Sequence, residues 1–421
     1  MASVAIVAWY FPPSGGAGAQ RPLHFARGLR SAGMGVRVLT PTLEGLSTTW
    51  APADPDLDEA ASGLEVRRIR PGGPGVGTDE FRSGVLEDLR RDPVDAIVVT
   101  MSPFALADLV PDLRDMGARV VLDLRDPWAL DSWPGYRSRW HWRREFRRME
   151  EALRTSDGFI MNTPDAMRAV LEAMPGLAGR PHAVIQNGWA AADFPGEWTP
   201  PEDAPVREGM PLRIVHSGTL HDSSPRPSLK SRLASAISHE PQWIDRSGRG
   251  AGHLLEAVRL LVDEGADIRC DFLGMQVGSV EGLVERLGLQ GRVRPMGSVP
   301  HGTAIEAIRN AGALFLPLGG LRPGDRSLIV PGKTYEYLVA GPPVVAALPE
   351  GDARDLASMS DHAFPCDPCD AGEVARAIRS CVSWWRERDP RTHLVPEPHM
   401  LPFERGALSR RLHEFLVGLV G

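Results

Sequence analysis

Lysine is nearly absent from this sequence. Of 47 lysine and arginine side chains in 421 residues, only Lys230 and Lys333 are lysine, as coding pressure toward GC-rich codons would produce. Each is either a chance survivor or a mark of a place where a compact ammonium is wanted in preference to a planar guanidinium. Cysteine is scarce as well. Four are too few for a disulfide framework, and with no basic leader or cleavage site legible ahead of the apolar run from Val4, the expected compartment is a reducing cytoplasm. Cys366 and Cys369 form a CxxC, but Cys270 and Cys381 stand alone, so the second pair that a zinc knuckle needs is missing and a loop-borne thiol pair is the reading. No stretch approaches the roughly 20 apolar residues of a membrane span, so any membrane contact is expected to be peripheral. Excess positive charge is also missing. A net charge of −7 argues against a general nucleic-acid binder, which needs a positive field, and leaves nucleotide-sized partners open.

What is present is a globular composition, 43% hydrophobic and 24% charged, in a chain long enough for two domains of roughly 200 residues. Short β-branched runs alternate with helical periods, the pattern of βαβ units and parallel sheets. In the first half the predicted strands are Val4 to Ala8, Val36 to Leu39, Ala96 to Thr100, Arg119 to Leu124, Gly158 to Met161 and Ala183 to Gln186. Predicted helices include Pro22 to Ala32, Ala105 to Met116 and Arg137 to Thr155. From Phe194 to Pro211 the chain turns rich in Pro, Glu and Asp and reads as a linker. A second series follows, with strands at Leu212 to His216, Asp267 to Leu273, Arg292 to Met296, Ala313 to Leu316, Pro343 to Ala347 and Ala363 to Pro365. The expected architecture is α/β, two doubly wound Rossmann-like domains over 1–195 and 211–402 that face each other across a cleft. A last amphipathic helix, 403–421, is expected to cross back to the first domain.

Two segments carry candidate chemistry. The first strand ends in Phe11-Pro12-Pro13-Ser14-Gly15-Gly16-Ala17-Gly18-Ala19-Gln20-Arg21, a glycine-rich turn that offers backbone N–H groups to an anion at a helix N-terminus, or is a tight turn without a ligand. It is not the dinucleotide GxGxxG. Arg21 stands where the third glycine belongs, and Thr40-Pro41-Thr42 lacks the acidic residue after strand two, which disfavours a dehydrogenase. The second segment is Val330-Pro331-Gly332-Lys333-Thr334-Tyr335-Glu336-Tyr337-Leu338, where Pro331 and Gly332 punctuate a helix start and Gly341 a helix stop. Taken alone, Glu336 reads as a first-turn residue that complements the helix dipole.

Four motifs in order, Phe11-Pro12-Pro13 with Gly15-Gly16, Asp123 to Trp128, Asn187-Gly188-Trp189, and Pro331 to Leu338, resemble the GT-B fold, retaining, family-four-like glycosyltransferases of bacteria. The likeness spans nearly the whole chain. It implies an acceptor domain followed by a sugar-nucleotide domain, a UDP- or GDP-sugar donor, a small-molecule or polysaccharide-precursor acceptor, and no metal or other cofactor. It places Glu336 on the donor ribose, and Gly15 and Gly16 beside the donor phosphates. Asp126 would face the acceptor, with Trp128 and Asn187 nearby. In the second domain, Gly218 lies in the phosphate loop. Arg226 is the first choice for the diphosphate, and Lys230 or Lys333 the second. The sequence departs from the family in that Leu328 replaces the first of two glutamates eight positions apart, so sugar recognition falls to the backbone of Val330, Pro331 and Gly332. The stretch Lys230 to Gly250 also reads as inserted.

Other functions on this scaffold are a nucleotide-sugar epimerase or hydrolase, and a silent sugar-nucleotide binding protein, which the missing glutamate makes conceivable. Arg137, Arg139, Arg143, Arg144, Arg147 and Arg148, with Trp140 and Trp142, form one basic segment. It suits an anionic lipid or acidic acceptor, or it is a solvated helix face balanced by Glu145, Glu150 and Glu151.

Overall fold

The computed structural model describes residues 2–43, 53–72, 79–133, 135–194, 198, 211–221, 238–274, 280–387 and 396–421. The chain divides into two compact units. One comprises Met1–Asn187, Phe403–Gly421 and a short piece containing His239; the other comprises Gly188–Ala236 and Gln242–Pro402. The division falls at Asn187, ahead of the Pro-rich stretch where the sequence reading set it.

The first unit is built on a seven-stranded sheet: β1 (Ser3–Ala8), β2 (Gly35–Pro41), β3 (Glu65–Ile69), β4 (Ala96–Thr100), β5 (Arg119–Leu124), β6 (Gly158–Met161) and β7 (His182–Val184). The order is β3-β2-β1-β4-β5-β6-β7, with every pair parallel. Sequence direction reverses between β1 and β4, the switch point at which such sheets leave a crevice beyond the strand ends. Val4, Ile6, Ala8, Val98 and Val121 pack there against Leu23, Ala26 and Leu29 of the helix Ala17–Ser31. The C-terminal helix Arg405–Val420 adds Leu408, Leu412 and Leu416 to the same core. A Cβ on Gly28 would lie 2.1 Å from that of Ser409, so glycine is what lets the two helices cross this closely.

The edge strand β3 was not among the predicted strands. Its sequence, EVRRI, has no apolar alternation, and Arg67 bridges Glu65, Asp88 and Asp92 along a charged edge of the kind that discourages pairing with another chain. The single helix expected at Ala105 to Met116 is a 3₁₀ turn, Phe104–Leu109, followed by a short helix, Val110–Arg114. Pro111 lacks an N–H to continue the first into the second.

The second unit has six parallel strands: β8 (Leu212–Ser217), β9 (Ile268–Leu273), β10 (Val293–Gly297), β11 (Ala313–Pro317), β12 (Val344–Ala347) and β13 (Ala363–Cys366). Their order is β10-β9-β8-β11-β12-β13, again with a switch point, here between β8 and β11. Its core joins Ile214, Phe272 and Phe315 to Leu254, Leu255 and Val258 of the helix Gly252–Asp263, and to Val374 and Ile378 of the helix Ala371–Glu387.

Candidate functional site

In the first unit the glycine-rich turn delivers the chain to a helix that begins at Ala17, five residues before the predicted start. Gly16 is its N-cap at φ 83°, and a Cβ there would meet nothing within 4 Å. The residue is glycine for its backbone conformation rather than for lack of room. The helix N-terminus therefore opens directly at Gly15 and Gly16, with no acidic residue in its first turn. Arg125 reaches the same turn: a Cβ on Gly18 would lie 3.3 Å from Arg125 Nη1, and the buried Arg125 Nε has no hydrogen-bond partner. Sequence reading passed over this arginine.

Arg21 faces inward. It is 5% exposed and donates to both carboxylate oxygens of Asp123 at 2.6 to 3.1 Å, and to the carbonyls of Ile185 and Gln186 at 2.9 and 2.8 Å. This closed network ties the helix to the ends of β5 and β7. Asp126 is half-buried and makes no hydrogen bond among the described residues, and Asn187, also half-buried, closes the unit. Trp128 is 1% exposed; its ring stacks on Phe104 at 5.0 Å and its indole N–H donates to Glu145. The ring that the sequence offers to an acceptor is thus occupied in packing.

In the second unit the site forms where β8 ends. Gly218, at φ 125°, leaves room that Lys333 fills: a Cβ there would lie 2.3 Å from Lys333 Nζ. Gly274, after β9 at φ 114°, presses on Gly218 in turn, since its Cβ would meet the Gly218 carbonyl at 2.7 Å. Lys333 projects from the helix Gly332–Ala340, and Tyr337, one turn on, accepts a hydrogen bond from the Ser217 N–H at 2.8 Å, which clamps the helix to the end of β8. His216 is buried, with Nδ1 2.8 Å from the Phe315 carbonyl and Nε2 3.3 Å from Lys333 Nζ. A carbonyl only accepts, so Nδ1 carries the proton and Nε2 is left to accept from the lysine.

The electrostatics follow first from burial and then from crowding of positive charge. Burial, then the charge of Arg249 opposed by that of Glu336, brings Lys333 down to about 7. Burial and Lys333 hold His216 well below the usual imidazole range, and burial with Arg249 and Lys333 takes His221 to about 4. Two neutral imidazoles, the Arg249 guanidinium and a lysine that is about half charged at pH 7 therefore share this strand end. Arg249 was not foreseen. It closes a 3₁₀ turn, Arg246–Arg249, capped by Asp245, whose backbone pairs with Gly320 after β11. Arg226 and Lys230, the expected diphosphate ligands of this loop, lie outside the described residues. Glu336 is half-buried and sits on the second turn, not the first: the helix starts at Gly332 and its first turn carries no acid, so the dipole reading of Glu336 does not apply. Val330, Pro331 and Gly332 lead into that helix, and Leu328 is half-buried beside the Ser327–Gly351 bridge.

The sequence matches no protein-family model and no curated protein. Solved structures do match over the full length. Sucrose-phosphate synthase from Thermosynechococcus elongatus is 15% identical, with a TM-score of 0.66 over 100% of this chain and 99% of that one. HepE of Anabaena, solved with UDP and glucose, is 15% identical, with a TM-score of 0.64 over 99% of this chain and 100% of that one. WaaG, a glycosyltransferase involved in lipopolysaccharide biosynthesis, is 14% identical, with a TM-score of 0.60 over the same shares.

The chain has the GT-B fold.

Within this GT-B chain, one group among the described residues has the composition of a metal site, Asp361, His362 and Glu397. It precedes β13, whereas Lys333 lies beyond the carboxyl end of β8, so the two occupy opposite ends of their parallel sheet. His362 Nδ1 bonds to Glu397 at 3.3 Å, and the Asp361 N–H donates to the same carboxylate, a hydrogen-bonded clasp on the segment that leads to the last helix. The cysteines are free thiols. Cys369 packs on Gly248 and Gly320, whose added Cβ atoms would lie 3.0 and 2.6 Å from its sulfur.

Proposed function

We propose that this chain is a glycosyltransferase whose second unit binds the diphosphate of a UDP- or GDP-sugar at Lys333 and Arg249, and whose first unit holds the acceptor. The observation that carries the reading is the concentration of Lys333, Arg249 and two neutral histidines on the glycine turn after β8. Such a site is costly without an anion. It suits a departing diphosphate, whose charge must be met by preorganised cations and backbone dipoles as the anomeric centre gains oxocarbenium character. The reaction is retaining and metal-independent in this proposal: the leaving phosphate oxygen takes the acceptor proton on the face it vacates, and the new glycosidic bond forms there. Asp126 meets the acceptor hydroxyl in the first unit. A donor screen with UDP-, GDP- and dTDP-sugars, with and without candidate acceptors and with chelator, tests it. Donor consumption without an acceptor would mark an epimerase or hydrolase, and loss of activity on chelation would overturn metal independence.

Two further results are expected. UDP affinity should fall as pH rises from 7 to 9, by up to about tenfold per unit, because Lys333 is held near 7 in the free protein and the anion binds its charged form. Calorimetry across that window should also show proton uptake on binding; a flat profile removes Lys333 from the site. At Glu336, a carboxylate can accept from both ribose hydroxyls, so dUDP should bind about 10- to 100-fold more weakly than UDP. Glu336→Ala should nearly abolish the difference, and equal affinity for the two in the wild type would end this assignment.

A further inference from the structure

The helix Arg139–Thr155 of the first unit carries a cationic ridge that the proposed chemistry does not use. Arg139, Arg143 and Arg147 follow one another at every fourth position, and Trp140 and Arg144 form the adjoining row. All five are exposed, and Trp140, at 68%, exposes more of its surface than any other large apolar residue among those described. Most acids within reach of the ridge are engaged elsewhere. Glu145 binds Arg148 and Trp128, Glu150 binds Arg154, and Arg148 itself reaches Asp108. Glu151 alone is exposed beside the last arginine of the ridge. Arg139, Arg143, Arg144 and Arg147 make no ion pair among the described residues.

The placement works against helix stability. Cations near a helix N-terminus oppose the macrodipole, and this first turn has no acid to offset them. The ridge also acts on its surroundings: His239, whose ring lies 4.5 Å from Trp142, is lowered by burial and then by the charges of Arg139 and Arg143. In a protein of net charge −7, four guanidiniums along about 12 Å of helix with no ion pair among the described residues form a local field of the opposite sign.

We propose that this face docks on the anionic surface of a lipid bilayer, with the arginines on headgroup phosphates and the Trp140 indole in the interfacial layer. Charge complementarity selects an anionic partner, and the exposed indole selects a bilayer over a soluble polyanion, because tryptophan partitions into the headgroup zone. Trp142 is not part of the contact, since its N–H donates to the Ala129 carbonyl and its ring packs on Phe146. No helix among the described residues is long and apolar enough to cross a membrane, so this surface contact would be a peripheral one.

The test is co-sedimentation of the full chain with vesicles of phosphatidylcholine alone and with phosphatidylglycerol added. The wild type should bind the anionic vesicles, not the neutral ones, and binding should weaken with salt. Each arginine near such a surface contributes about fivefold, so Arg143→Ser with Arg147→Ser should weaken binding roughly 25-fold. Trp140→Ser should weaken binding without changing its salt dependence, and all three changes lie on an exposed face, so circular dichroism should show an unchanged fold. Equal binding to neutral vesicles, undiminished binding by the double variant, or no binding to anionic vesicles would each overturn the proposal, the last in favour of a soluble polyanion where heparin or duplex DNA is bound tightly instead.

Discussion

Lys333→Met should lower glycosyl transfer about 100- to 1000-fold while making the free protein more stable. The rate loss is that expected when one preorganised charge on a leaving group is removed. The stability gain has a separate origin. Burial and Arg249 bring the lysine from 10.5 to about 7, so between those values the unfolded chain binds more protons than the folded one, and stability rises with pH. At pH 7 and below, the folded protein therefore carries a cost for housing this ammonium, on the order of 1–3 kcal/mol once partial solvent access is allowed for. Methionine has similar reach and no charge, and it removes that cost. Thermal unfolding at pH 7 and pH 9, with and without UDP, checks all three consequences. The variant should melt higher at pH 7, lose much of the wild type's gain on going to pH 9, and gain little from UDP. A variant that is less stable at pH 7 but still strongly stabilised by UDP would show the lysine to be a packing residue. Arg249→Ala is the companion change and should reduce turnover similarly, while moving Lys333 back toward its ordinary value.

Both halves of this site differ in how far the sequence exposes them. Lys333 was legible because Pro331 and Gly332 mark a helix start after an apolar strand, and because lysine is so rare in this chain. The parallel sheets were legible for a related reason: strands buried on both faces, such as Val4 to Ala8 and Ala313 to Leu316, are continuous apolar runs. Arg249 was not legible. It follows Gly218 by 31 positions and is brought back by the Asp245–Gly320 pairing, which exists because Gly319 and Gly320 leave space for Ile244 and Asp245. That glycine pair after β11 was the available signal. The start of the first-unit helix was misplaced because proline favours a first helical position, and Pro22 outweighed Gly16, whose role depends on a φ of 83° that no sequence pattern states. Trp128 is offered to an acceptor only by the family resemblance that the segment Asp123 to Trp128 carries. Its burial depends on Phe104 and Glu145, neither adjacent in sequence.

Arg21→Ala should destabilise the first unit by about 3–5 kcal/mol, the loss expected when one partner of a buried pair is removed. Asp123 is fully buried, and Arg21 is its ion-pair partner, so the variant leaves a carboxylate in the interior together with the carbonyls of Ile185 and Gln186. Removing both charges should behave differently. Arg21→Met with Asp123→Leu keeps volume and leaves no buried charge, so it should recover much of the loss, a non-additivity that urea unfolding of the two single variants and the double variant measures directly. The pair also bears on chemistry, because Asp123 opens the segment that carries Arg125 and Asp126 past the glycine-rich turn. In the double variant the backbone there keeps its β5 pairing but loses its link to the helix Ala17–Ser31. Stability should return further than activity does, with the remaining deficit in the KM for acceptor rather than for donor, since the donor is assigned to the second unit. If Arg21→Ala costs under about 1 kcal/mol, the buried pair does not organise this end of the sheet, and the acceptor effect should vanish with it.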